Sequence, residues 1–251
     1  MCLVVVALRA HPTYSLVIAA NRDEYHDRPA APAAWGDDGD FAGILAGRDL
    51  AAGGTWFGVR RDGRFALVTN VRDGKAQDPA APSRGLIVPR VIGSSGESLA
   101  SDARNYNGFN LLAGDDSAVH WMSNRGSDRR RIDAGVHGLS NAVLDEPWPK
   151  VMRTQRRLQE WIARGDGDVE PLFAALGDRT RAPDQELPST GVALEWERIL
   201  SAPFIVTERY GTRCSSVYTV NRDGYATFRE RSFAPDGSMT GEVNEAFALR
   251  R

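Results

Sequence analysis

Cysteine follows Met1, and a small second residue is the context in which an initiator methionine is removed. The mature chain is then expected to begin with the thiol and the α-amine of Cys2. An α-amine has a reference pKa of about 7.7 to 8.0, so near neutrality it can accept the proton of a thiol on the same residue, as in nucleophiles activated by their own amino terminus. Further along, the apolar run "SLVIAA" gives way to "NRDEYHDRP", which puts Arg22, Asp23 and Glu24 at the mouth of a strand. The tripeptide recurs at Asn221, Arg222 and Asp223, this time followed by Gly224. Asp-Gly between two apolar runs signals a two-residue hairpin turn, so the second copy is expected at a hairpin tip and the first is the candidate for chemistry. Position alone does not decide the role of Cys2, because unpaired cysteines commonly pack as small hydrophobes in cores.

The elements that must hold these residues can be read from periodicity. "CLVVVALR" and "YSLVIAA" are β-branched runs split by "AHPT", a hairpin with both strands buried, whose open end brings position 2 near Arg22 and Asp23. "TWFGVRR" and "RFALVTNV" flank Asp62-Gly63, a second hairpin signal. "SRGLIVPRVI" and "ESLASDARNY" read as helices, and "FNLLAGD" and "AVHWMSN" resume the strand pattern around Asp115-Asp116. "PKVMRTQRRLQEWIA" carries Val151, Met152, Leu158, Trp161 and Ile162 at helical spacing, with Pro149 near its start. "VALEWERIL" is a further helix, followed by the hairpin of "RCSSVYTV" and "YATFRERSF". Strands at both ends with helices between them describe an α+β fold.

Composition narrows the function classes. The 251 residues, 42% of them hydrophobic, suit one large globular domain, expected over 1-251 because no linker-like stretch divides the chain. A formal net charge of -2 and a pI near 6.1 argue against nucleic acid as a partner, and "DRRRID" at 128-133, with an acid at each end, reads as a solvated hairpin. "MCLVVVAL" is too short to span a bilayer and has no basic residues before it, so no membrane span is expected. Cys2 and Cys214 lack the paired spacing of a disulfide framework or a zinc site, which makes a reducing cytoplasm the expected compartment. His11, His26, His120 and His137 show no metal-ligand spacing, and "GGTW" at 53-56 lacks the "GxxxxGK" of a phosphate loop, so no cofactor is expected.

Seven blocks in order, "MCLVVVAL", "AANRDE", "GGTWFGV", "TNVRD", "GFNLL", "GLSNAVLDEPWPKV" and "YGTRCSSV", resemble the NRDE family, also called the transport and Golgi organisation family. The resemblance implies the N-terminal nucleophile hydrolase architecture, a four-layer αββα sandwich of two antiparallel sheets. It also implies a functional pattern similar to that of cysteine amidases. In that pattern Cys2 is the nucleophile, and Asp23 holds and orients its α-amine. Arg22 favours the thiolate by charge pairing. Asn70 and Asn141 donate to a tetrahedral oxyanion, and Arg213 is a late arginine suited to a substrate carboxylate or phosphate. Adjacent strand residues point to opposite faces, so Arg22 and Asp23 enter one pocket only if the strand has ended or bulged there.

Three functions follow. The first is an N-terminal-cysteine hydrolase or acyltransferase acting on a small-molecule acyl amide or thioester. The second is a non-catalytic carrier of a hydrophobic ligand such as haem or an acyl-CoA on the same fold, and the third is a structural adaptor. The set Cys2, Asp23, Asn70 and Asn141 favours the first, since a carrier has no need of a free N-terminal thiol.

Overall fold

The computed structural model describes residues 2-93, 102-126, 129-165 and 167-250. Met1, whose removal is expected, and residues 97-101 of the expected second helix lie outside them; the remainder of that helix is a single 3-10 turn, Ala103–Asn105.

The strands form two antiparallel sheets. One contains β1 (Cys2–Leu8), β2 (Tyr14–Tyr25), β10 (Gly135–Leu139), β11 (Tyr210–Asn221), β12 (Tyr225–Phe233) and β13 (Met239–Ala248), in the order β10-β1-β2-β11-β12-β13. The other runs in chain order through β3 (Ala30–Trp35), β4 (Ile44–Asp49), β5 (Phe57–Arg60), β6 (Phe65–Asn70), β7 (Phe109–Gly114), β8 (Val119–Ser123) and β9 (Arg129–Arg131). The helices are α1 (Ile87–Gly93), α2 (Pro149–Arg164), α3 (Glu170–Leu176) and α4 (Leu194–Leu200).

Strand alternation builds the layers. Val4, Val6, Leu8, Leu16 and Ile18 face the second sheet and pack with Phe57, Val59, Phe65, Leu67 and Trp121. The intervening Val5, Ala7, Val17 and Ala19 face the other way, onto Leu158, Trp161, Leu172 and Phe173 of α2 and α3. The outer face of the second sheet is closed by Ile87, Val88 and Ile92 of α1 against Ile44, Ala66 and Phe109. The result is the αββα sandwich, and it explains why β1 and β2 are apolar on both faces. Each fully buried aliphatic side chain contributes about 1.5 to 3 kcal/mol, so burial on both faces holds the central hairpin firmly.

Helix α2 is set by its sequence. Pro149 occupies its first turn, Gly165 ends it at φ 67°, and Lys150, Thr154, Leu158 and Trp161 recur on its buried side. The second tripeptide lies at the end of the β11-β12 hairpin, where Gly224 takes φ 81° and Asn221 Oδ1 accepts from the Asp223 and Tyr225 N–H groups. No described helix is long and apolar enough to cross a membrane.

Candidate active site

Cys2 begins β1 and pairs directly with Arg22 of β2. Paired residues in an antiparallel ladder project from the same face, and here that face is the one that looks onto the second sheet. Cys2 and Arg22 line a cavity of about 480 Å³ together with Asp23, Thr55, Trp56, Asn70 and Arg84. Arg22 lies over the Trp56 ring, 4.5 Å from its centroid, and its Nη2 is 3.1 Å from Asp49 Oδ2. Arg28 Nε donates to the same oxygen at 2.6 Å. Burial pushes the Asp49 carboxyl up, but the bonds from Arg28 and the Ala52 N–H, with the Arg28 and Arg22 charges, outweigh it and hold the group below the ordinary carboxylate range.

Strand β2 runs on to Tyr25, so Arg22 and Asp23 alternate as neighbours in a strand do, and the irregularity lies in β11 instead. Asp23 pairs with Thr212 and Arg22 with Cys214, which leaves Arg213 as the extra residue of β11. Arg22 therefore projects between the sheets, while Asp23 follows Asn21 toward the helical layer; Asn21 Nδ2 donates to the Leu176 and Pro203 carbonyls there. Asp23 is 1% exposed, and Thr212 Oγ1 donates to its Oδ1 at 2.7 Å. Burial raises the Asp23 carboxyl, against the charges of Lys150 and the chain's amino terminus and the bond from Thr212.

The Cys2 thiol departs from the direction implied by a charge-paired thiolate. Burial pushes it up, the amino-terminal charge and Arg22 pull it down, Asp23 pushes it up again, and the net shift is upward. Arg22 spends its charge on Asp49, which limits its pull on the thiol.

The asparagines occupy different places. Asn70, at the end of β6, lines the Cys2 cavity. Asn141 is fully buried, and its Nδ2 donates to the Asn70 carbonyl at 2.9 Å, so it braces the chain that presents Asn70 without lining that cavity. Beside it, Ser140 Oγ donates to the Cys2 carbonyl at 2.9 Å and Thr69 Oγ1 to the Ser140 carbonyl at 2.6 Å, which fixes Cys2 to the second sheet. Arg213 is not brought to the cavity. Its Nη1 donates to the carbonyls of Tyr25 and Arg28 at 2.9 and 3.1 Å, which ties down the corner between β2 and β3. The cation that does line the cavity without a carboxylate within 4.0 Å among the described residues is Arg84, anchored through Nη1 on the Gly108 carbonyl and Gln77 Oε1, each at 3.1 Å.

Sequence reasoning missed Thr212, Ser140, Arg84 and, above all, Lys150. Lys150 is 1% exposed in the first turn of α2, and its Nζ has no hydrogen-bond partner among the described residues. Burial lowers its pKa to about 8 against the opposing pull of the Asp23 carboxylate. Its spacing from Thr154, Leu158 and Trp161 on the buried stripe was the signal that could have found it. A linkage follows. Between pH 8 and 10.5 the unfolded chain keeps a proton on Lys150 that the folded chain has released, so stability rises with pH across that window. Urea denaturation of the parent and of Lys150→Met is expected to show their difference in unfolding free energy growing in the parent's favour by about 3 kcal/mol between those limits. A flat difference would mean that Lys150 keeps an ordinary, solvated pKa.

Comparison with known proteins agrees with this architecture. The mutant conjugated bile acid hydrolase of Clostridium perfringens superposes with a TM-score of 0.52 at 8% identity, covering 99% of this chain and 92% of that one, so the two share the N-terminal nucleophile hydrolase fold. The Transport and Golgi organization protein 2 homologs of Bos taurus and Homo sapiens are 36% and 32% identical, each over 92% of this chain and 93% of its own length. The family model described as Transport and Golgi organisation 2 matches residues 1–235, and with these relatives it shows that the chain belongs to the Transport and Golgi organisation 2 family.

Proposed function

We propose that the protein is an N-terminal-cysteine hydrolase or acyltransferase acting on the amide or thioester of a small acyl molecule. The observation that carries this reading is the position of Cys2, which is first in the chain once Met1 is lost and opens onto the cavity beside Arg22 and Asn70. In the reaction the Cys2 sulfur attacks the acyl carbonyl carbon while the thiol proton passes to the α-amine, and the carbonyl electron pair moves onto oxygen. The Asn70 side-chain N–H groups stabilise that oxyanion. Collapse expels the amine or thiolate leaving group, which takes the proton from the α-ammonium and leaves an acyl thioester on Cys2. Water, or a second nucleophile in an acyltransferase, then attacks the thioester, releases the acyl product and restores the thiol. Asp23 orients the amine, and the free thiols of Cys2 and Cys214 suit a reducing cytoplasm.

An adjoining cavity of about 520 Å³ shares Glu24, Arg28, Asn70 and Arg84 and adds Tyr25, Val192, Trp196, Leu200 and Tyr210. Trp196 and Tyr25 meet Tyr210 with ring centroids 5.7 and 5.1 Å apart, a surface suited to the apolar part of an acyl ligand. The test is incubation with a panel of acyl amides and acyl-CoA esters, followed by peptide mass mapping. The expected result is an acyl mass increase on the peptide that begins with Cys2 and none on Cys214. Mature protein that stays unmodified across the panel would refute this reading. The upward shift of the thiol, with the aromatic surface beside it, favours a second reading, a carrier of haem or acyl-CoA. Saturable binding of such a ligand with no adduct on Cys2 is its signature.

A further inference from the structure

Lys150 has no part in the reaction just described, yet its placement is unfavourable on three counts. It stands at the positive end of α2, where a cation is disfavoured. It is buried, and its Nζ meets no hydrogen-bond partner among the described residues. A methionine would fill the same place on the helix stripe without these costs, so the charge itself calls for a reason.

The charged groups around it supply one. The charges that act on it are those of Asp23 on β2, Arg72 in the segment after β6, Cys2 on β1 and Glu197 on α4. Arg72 Nη1 and Glu197 lie 3.3 Å apart and balance each other, which leaves Asp23 as the carboxylate for Lys150. Around Asp23 and Cys2 the remaining titratable or charged groups among the described residues are Arg22, Glu24, Arg84, Tyr210 and Cys214, and Arg22 is already paired with Asp49.

Resting on the reading of Cys2 as an amine-assisted nucleophile, we propose that Lys150 is a positioning residue for it. Its ammonium satisfies Asp23, so that the Cys2 thiol and α-amine share one proton instead of holding two. A single buried carboxylate stabilises one ammonium well and a second one poorly, because the two cations repel. Even lowered to about 8, Lys150 still holds its proton at pH 7, and its charge pushes down the α-amine, whose ordinary value is about 7.7 to 8.0. The thiol–amine pair, one proton short, is reactive whether that proton sits on sulfur or on nitrogen, since both forms belong to the same macroscopic state. Without the Lys150 charge, Asp23 would hold the α-amine as an ammonium beside a protonated thiol, leaving the site with no base.

The experiment is the pH profile of Cys2 alkylation by iodoacetamide, read by peptide mass mapping with Cys214 in the same molecule as reference. It is run on the parent, Lys150→Met, Lys150→Gln and Lys150→Arg, each checked for loss of Met1 and for cooperative unfolding. Loss of the charge is expected to move the Cys2 midpoint up by about one pH unit, which slows labelling at pH 7 about tenfold, and Lys150→Arg is expected to restore the parent midpoint. A purely structural role would change folding without moving the midpoint. An unchanged midpoint in either folded neutral variant overturns the proposal and leaves the hydrolase reading standing. Retained Met1, or a Cys2 inert across the profile in the parent, overturns that reading and this proposal with it.

Discussion

A chain carrying two extra residues ahead of Cys2 is expected to fold like the parent and to lose acyl transfer by on the order of a thousandfold or more. Cys2 would keep its pairing with Arg22 and its place at the end of β1, and the thiol would still line the cavity. What disappears is the α-amine beside the sulfur, because an amide nitrogen cannot take up the thiol proton. The expected loss is large because burial already holds the Cys2 thiol above its ordinary pKa, so without an adjacent base little thiolate forms near neutrality. The measurement pairs initial rates on whichever acyl compound modifies Cys2 with thermal unfolding of both proteins. Equal rates in equally stable proteins would show that the amine plays no part.

The two aspartates of the repeated tripeptide are expected to behave oppositely. Asp23→Asn keeps an oxygen for Thr212 Oγ1 and almost the same volume, but it removes the carboxylate that the Lys150 charge favours. Activity is expected to fall about a hundredfold, the size usual for losing an orienting group at a proton-transfer site. Asp223→Asn, at the exposed β11-β12 turn, is expected to change neither activity nor stability by more than about 0.5 kcal/mol, since asparagine suits the same turn. Rates and urea midpoints for the two variants decide the matter, and equal losses at both positions would remove the distinction between the copies.

The central hairpin was legible because its signal is local. "CLVVVALR" and "YSLVIAA" could hardly be anything but buried strands, and they became β1 and β2. The same holds for α2 and for the Asp-Gly turns at 62-63 and 223-224. Strands β3, β4, β10 and β13 went unread. "AAPAAW" and "GVHGL" are rich in alanine, proline or glycine, and β13 is largely exposed, so their extended form comes from neighbouring strands more than from their own side chains. At the site, Cys2, Arg22, Asp23 and Asn70 were reachable from their motifs, and they meet at one cavity. The locations of Asn141 and Arg213 were not, because both depend on tertiary contact. One amide braces the Asn70 backbone, and a one-residue bulge turns the arginine toward the carbonyls after β2. Lys150 escaped notice because its residue type suggests solvent, and only its helical phase points inward.

The sheet that carries Cys2 also divides its surroundings into two compartments. The sulfur looks into the cavity, whereas Lys150 sits beneath α2 on the other side and is not among the residues that line it. On the proposed hydrolase reading, an acid released in the cavity would meet Arg22, Arg28 and Arg84, whereas Lys150 does not line it. Accumulating product can therefore compete for the binding surface without quenching the chemistry behind it. The cavity wall can likewise be remodelled for a different acyl group while the pH response of the nucleophile stays where the helix fixed it.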